Sequence, residues 1–265
     1  MHKRTLFFCA VLLAVAVTSG CGGGGTSDEP ALPAGGGAAT SGGVDAAKFT
    51  ATVSGKISFE GTPPPNDKIQ MSADPYCQQH AADNPTAETV KVSDGGLENV
   101  IVYVSSGIPA GTSFNTPTTP VEIDQHSCHY IPHAFTIMTN QTLKIKNSDD
   151  TLHNIHAFAM VNPQYNQGQA RKDMVNETKF ERPEMPLAFK CDVHKWMNSF
   201  SGVFDHPFHT TSKEGGKFEM KLLPGTYEVT AWHEKYGKKT MMVEVKENDK
   251  KDVNFAFNAN DKAAD

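Results

Sequence analysis

Beyond its first two dozen residues the chain has no run of about 18 uncharged apolar residues and no heptad repeat, which excludes a multi-spanning membrane protein and a coiled coil. It lacks a basic excess: Lys+Arg number 24 against 30 Asp+Glu, a net charge of −6, which argues against a nucleic-acid surface, and no nucleic-acid partner is expected. Gly 22 and Pro 16 in 265 residues are too few for a wholly disordered chain. Helical stripes are also missing from every window of about a dozen residues. The chain does hold 5 Cys, 11 His and 10 Met, an inventory of soft and imidazole donors.

His2, Lys3 and Arg4 precede an apolar stretch from Leu6 to Val17 that is too short to span a bilayer. Small residues then lead through Val17-Thr18-Ser19-Gly20 into Cys21. This resembles a bacterial lipoprotein signal over residues 1–20, although Thr18 stands where such signals usually carry Leu. The resemblance implies that Cys21 takes the lipid. Residues 22–47 are rich in Gly, Ala and Ser with almost no large apolar group, so they read as a slack tether reaching roughly 30 Å. Gly22 after the cysteine resembles the pattern sorted to the outer membrane. Export, the periplasmic face and membrane attachment through lipid are therefore expected.

From Phe49 onward the pattern is β. Val53, Ile57 and Phe59 alternate on one face, Val100 to Val104 form a β-branched run, and Leu143 and Ile145 alternate again. Four more strands are predicted near the C-terminus, the first two separated by a tight turn at Pro224-Gly225. The fold class is all-β, built from antiparallel sandwiches.

The segment Cys191-Asp192-Val193-His194-Lys195-Trp196-Met197 places a thiolate, an imidazole and a thioether on one short loop. With a second imidazole, this is the ligand set that favours a blue-copper site. His153 supplies it, at the end of the polar turn Asn147-Ser148-Asp149-Asp150-Thr151-Leu152 and just before a strand. Zinc accepts Cys and His, but a single Cys with a Met suits it poorly. The plainer reading of Cys191 alone is an inert core thiol.

In this order Asn147, His153-Asn154-Ile155 and Cys191, His194, Met197 resemble the cupredoxins, in particular the amicyanin-like branch, over about residues 120–206. The resemblance implies one mononuclear type 1 copper with His153, Cys191 and His194 equatorial and Met197 axial. It also implies that Asn154 pins the ligand loop and that an exposed His194 edge is the electron port. One departure is the strand before Cys191, whose Pro183 and Pro186 replace the usual Gly-x-Tyr and put its length in doubt.

Cys77 and Cys128 remain. In an oxidising compartment a disulfide is the simplest account, and the alternative is a second copper site with His80, His126, His129 and His133. His156 is three residues from His153 and reads as structural on the opposite face. Gly216-Lys217-Phe218 and Leu223 to Val229 resemble the C-terminal half of a carboxypeptidase-regulatory-like (transthyretin-like) sandwich, and Ser54 to Gly61 with Asn99 to Val104 resemble its first strands. The expected organisation is a split sandwich of residues 48–110 plus 209–258, a cupredoxin domain of residues 111–208 inserted in or fused to it, and a disordered tail of residues 259–265. A single enlarged cupredoxin is the alternative. The expected function is a lipid-anchored single-electron carrier, not an enzyme, whose redox partner is a cytochrome or a copper or quinone enzyme. The rival is a binding or structural module in which the transthyretin-like sandwich mediates interaction and copper is stored, delivered or a structural staple.

Overall fold

The computed structural model describes residues 43–80 and 85–262; the signal segment, Cys21 and most of the tether lie outside the described residues. Among the described residues no helix is long and apolar enough to cross a membrane.

The first sandwich is organised around the strand Ala51–Glu60, whose Ala51, Val53, Ile57 and Phe59 face inward. It pairs antiparallel with Lys217–Leu222 along one edge and parallel with Lys250–Asp252 and Phe255–Asn258 along the other. Gly55 marks the step between those two parallel partners: a Cβ there would lie 1.8 Å from the Val253 carbonyl oxygen, so only glycine fits. The facing sheet runs His209–Thr211, Ile101–Ser106, Gly225–His233, Gly237–Val245. Val102, Val104, Val229 and Ala231 close the core against Ile57, Phe218 and Phe257. Each fully buried Val, Ile or Phe contributes about 1.5–3 kcal/mol of transfer free energy.

The second sandwich lies between these segments in sequence. One sheet runs Tyr165–Gln169, His153–Phe158, Glu184–Lys190, Asn198–Phe204, Ala134–Met138; the other runs Val175–Thr178, Leu143–Asn147, Val121–His126, His129–Ile131. Leu143 and Ile145 project from one face onto Ile123, Ile155, Leu187 and Phe189. The strand forms over Glu184–Lys190, with Pro183 just before it and Pro186 inside a register shift between Glu184 and Leu187, so Pro186 interrupts the ladder locally without ending the strand.

Four features differ from the sequence reading. The sheets are mixed, because Asn198–Phe204 runs parallel to Ala134–Met138 and Val121–His126 parallel to Leu143–Asn147. Pro224 and Gly225 do not close a hairpin: Lys217–Leu222 and Gly225–His233 belong to opposite sheets, and the Tyr227 hydroxyl donates to the Leu223 carbonyl at 3.1 Å to hold the crossing. The end of the tether is docked, with Val44 N–H donating to Ser113 O at 2.8 Å and Val44 paired with Phe114. Finally, Ile69, Met71, Tyr76 and Cys77, which the sequence assigns with residues 48–110, pack on the core of the second sandwich.

Candidate metal centre

The centre is built from two strand ends. Asn147 closes Leu143–Asn147, and its buried amide organises the following turn. Its Nδ2 donates to Thr151 O at 3.0 Å and to Gln169 O at 3.1 Å, while its Oδ1 accepts Asp149 N–H at 2.9 Å. That turn delivers His153 as the first residue of His153–Phe158, fully buried. The second strand end is that of Glu184–Lys190, which delivers Cys191. The loop that follows is closed by Cys191 N–H to Met197 O at 3.1 Å and Met197 N–H to His194 O at 2.9 Å. His194 N–H donates to the Cys191 sulfur at 3.3 Å.

The ligand atoms of His153, Cys191 and His194 all lie within 4.8 Å of one another, and the three residues are at most 2% exposed. The two Nδ1 atoms are 2.9 Å apart, with Cys191 Sγ 3.9 Å from that of His194. Met197 is buried in the same apolar cluster as Cys191. Asn154 accepts the Asp192 N–H on its Oδ1 and donates to the Asp192 carboxylate at 3.3 Å, which ties the His153 strand to the Cys191 loop.

The outer nitrogens of the two rings meet carboxylates. His153 Nε2 lies 2.9 Å from Asp149 Oδ2, and His194 Nε2 lies 3.0 Å from Asp74 Oδ2. Burial opposes ionisation of both acids. It is outweighed at Asp149 by His153 and the Cys128 and Ser127 amides, and at Asp74 by the Cys77 amide, Thr151 and His194, so both lie below the usual carboxylate range. Ionised carboxylates only accept, so each Nε2 must carry the proton. Neutral rings in that tautomer turn two bare Nδ1 lone pairs toward each other and toward a sulfur. Such a set is stable only around a shared proton or a cation. With that shared proton in place, burial would raise the Cys191 thiol, but hydrogen bonding with His153 and His194, together with the Asn154 and His194 backbone N–H groups, brings it down to about 5. The sulfur is therefore a thiolate donor at neutral pH. A thiolate with two imidazoles and a buried thioether on the same loop fits copper by ligand softness.

The exposed His194 edge expected from the resemblance is corrected. His194 is 2% exposed, and Asp74 and Cys77 lie against its outer edge. Asp74 caps the short helix Pro75–His80, accepting Tyr76 N–H at 2.8 Å and Cys77 N–H at 3.1 Å on Oδ1. Cys77 Sγ sits 3.7 Å from His194 Nε2 and is bonded to Cys128. The alternative second copper site loses its two thiolates to that disulfide. Its histidines are engaged elsewhere: His80 with Tyr76 O at 2.9 Å, His129 with Ser127 O at 2.9 Å, and His133 with Glu234, while His126 is exposed. His156 turns away from the centre to Asp192 at 3.2 Å. Sequence reasoning missed Asp74 and the role of Asp149. Asp74-Pro75 is a helix-start signal, but nothing local says that its second oxygen reaches a residue 120 positions away.

No family model matches the chain, and no curated protein matches it. Among solved structures, the chain is similar to a copper-containing nitrite reductase from Thermus scotoductus SA-01, at 14% identity and a TM-score of 0.31; the match covers 49% of this chain and only 29% of the reductase. A point mutant of amicyanin in its Cu(I) form is 15% identical over 40% of this chain and 99% of its own, with a TM-score of 0.29. A purple cupredoxin from Nitrosopumilus maritimus is 20% identical over 31% of this chain and 98% of its own, with a TM-score of 0.27.

Proposed function

We propose that the protein is a single-electron carrier with one mononuclear type 1 copper held by His153, Cys191 and His194, with Met197 as the weak axial donor. The observation that carries this reading is the convergence of the His153 and His194 Nδ1 atoms and the Cys191 sulfur in one buried cluster. Copper bound there supplies a Cu(II)/Cu(I) couple. The chain contributes rigidity: His153 and Cys191 stand at strand ends, and the loop to Met197 is closed by its own backbone bonds, so the donors need little reorganisation between oxidation states. Four donors leave no open position for a substrate, which favours a carrier over an enzyme. The covered His194 edge supports a second reading, in which the protein stores or delivers copper.

We further propose that the first sandwich, formed by residues 48–110 plus 209–258 apart from the segment around Ile69 to Cys77, is a transthyretin-like host. The chain is taken to be exported, cut before Cys21 and anchored by lipid to the periplasmic face of the outer membrane, where a cytochrome or a copper or quinone enzyme is its redox partner. Cys21→Ala should then move the protein from the membrane fraction to the soluble fraction, and unchanged fractionation counts against the anchor.

The decisive experiment is addition of Cu(II) to chelator-stripped protein. A thiolate bound to Cu(II) gives an intense visible charge-transfer band that imidazoles alone do not. The wild type should show it and Cys191→Ser should not. A wild type that stays colourless with stoichiometric Cu(II) overturns the assignment.

A further inference from the structure

Each cysteine of the disulfide is linked, through one carboxylate, to one histidine of the centre. Asp74 accepts Cys77 N–H at 3.1 Å on Oδ1 and holds His194 Nε2 at 3.0 Å on Oδ2. Asp149 accepts Cys128 N–H at 2.8 Å on Oδ2, the same oxygen that lies 2.9 Å from His153 Nε2. The Cys77–Cys128 bond joins these two turns across a sequence separation of 51 residues. Further bonds cross between them. Thr151, from the Asp149 turn, donates its hydroxyl to Asp74 Oδ2 at 2.9 Å, and the Tyr76 hydroxyl reaches Asp149 Oδ1 at 3.4 Å. The result is a nearly symmetric arrangement: sulfur to sulfur, each cysteine amide to a carboxylate, each carboxylate to the outer nitrogen of one imidazole.

Resting on the reading of this centre as a copper site, we propose that Asp74 and Asp149, yoked by Cys77–Cys128, act as one clamp that fixes both imidazole tautomers with Nδ1 turned toward Cys191. Neither carboxylate is offered to the metal; both are positioning residues. Their chemical effect passes through the rings. A carboxylate accepting Nε2–H makes the imidazole a stronger donor at Nδ1, which favours the more highly charged Cu(II). Closing the outer edge of His194 also keeps that ring from rotating away, because Nε2 already has a partner and the disulfide lies against it.

The test uses Asp74→Asn, Asp149→Asn and the double change Cys77→Ser/Cys128→Ser in the full mature chain. In chelator-stripped protein, ring-nitrogen NMR reads the tautomer of each histidine without any metal. Asp74→Asn should redistribute the tautomers of His194 alone, Asp149→Asn those of His153 alone, and the cysteine double variant those of both. With copper added, both Asn variants should bind Cu(II) about 10–100-fold more weakly and show a raised reduction potential. Asn keeps an amide oxygen for the Tyr76 and Cys77 N–H groups, so Asp74→Asn retains the helix cap and decides the matter even if the buried Asp149 variant misfolds. Wild-type tautomers, affinity and potential in Asp74→Asn overturn the clamp. Locked tautomers in a wild type that gives no blue band would instead overturn the copper reading and leave the clamp standing.

Discussion

Cys191 ionises in a place where burial alone would keep it protonated, and the groups that reverse that preference are the two histidines beside it. Met197 stands differently: it is buried at 1% exposure on the same loop, and its thioether has neither charge nor proton to give. A thioether donor is weak and long, so it tunes a couple more than it holds an ion. Met197→Leu conserves volume and should cost less than about 1.5 kcal/mol in packing. On the proposed reading of Met197 as axial donor, its loss would leave Cu(II) less stabilised, so the blue band should persist and the reduction potential rise. Met197→Gln brings a harder oxygen that favours Cu(II), and the potential should fall. Cyclic voltammetry with metal analysis on both variants checks this. Loss of copper from Met197→Leu, with no reversible wave, would favour storage or delivery over electron transfer. At this scale the sequence is highly legible: the spacing of Cys191, His194 and Met197 reports a loop whose two ends must meet, as the Cys191 and Met197 backbone bond shows.

Among the elements, the cap over His194 is the least regular and the most consequential. Its helix Pro75–His80 is six residues, too short to be stable alone, so it depends on Asp74 at its start and on Cys77 for attachment. In the chain-entropy model a bond closing a loop of 51 residues stabilises by about 4 kcal/mol. For a domain of this size that corresponds to roughly 8–16 °C in Tm. Differential scanning calorimetry on Cys77→Ser/Cys128→Ser should show a loss in that range, and a change under about 2 °C would mean that the cap folds without its bond. The sequence discloses strands through alternation, as at Val53, Ile57 and Phe59 or at Leu143 and Ile145, because half-buried strands write their inner face in every second residue. It does not disclose the cap's destination. Ile69, Met71 and Cys77 have no periodicity, and the surface they cover is assembled from residues far along the chain. For the same reason Pro224 and Gly225 announce a turn without saying that the chain changes sheets there.

Across the whole molecule the two sandwiches meet through a small apolar contact of Ile101, Ala134 and Phe204, with Tyr103, Met185 and Trp232 against it. Around this region and the first core lie histidines without the carboxylate support seen at the centre. His233 is 1% exposed, stacks on Tyr236 at 4.9 Å between ring centroids and accepts Lys235 N–H on Nδ1 at 3.1 Å. Burial, with His133 and Lys235 nearby, pushes it down to about 3; His209 is shifted the same way by burial and His206. The unfolded chain takes up a proton at His233 near pH 6.5, whereas the folded chain refuses it until about pH 3. Stability from this group is therefore intact above about pH 6.5 and falls as the pH drops toward 3, by up to about 1.4 kcal/mol per unit and by about 2 kcal/mol between pH 7 and pH 5. His153 runs the other way. Burial disfavours its charged form, but Asp149 and Cys191 raise it overall, so its contribution is full below the unfolded value and is lost as the pH rises through the folded one. The two signs are separated by substitution. His233→Phe gives up one neutral hydrogen bond, about 0.5–1.5 kcal/mol at every pH, and removes the titration. Urea unfolding of wild type and His233→Phe at pH 7 and pH 5 should therefore show the wild type losing about 2 kcal/mol more than the variant over that interval, and parallel pH profiles for the two proteins would contradict the assignment.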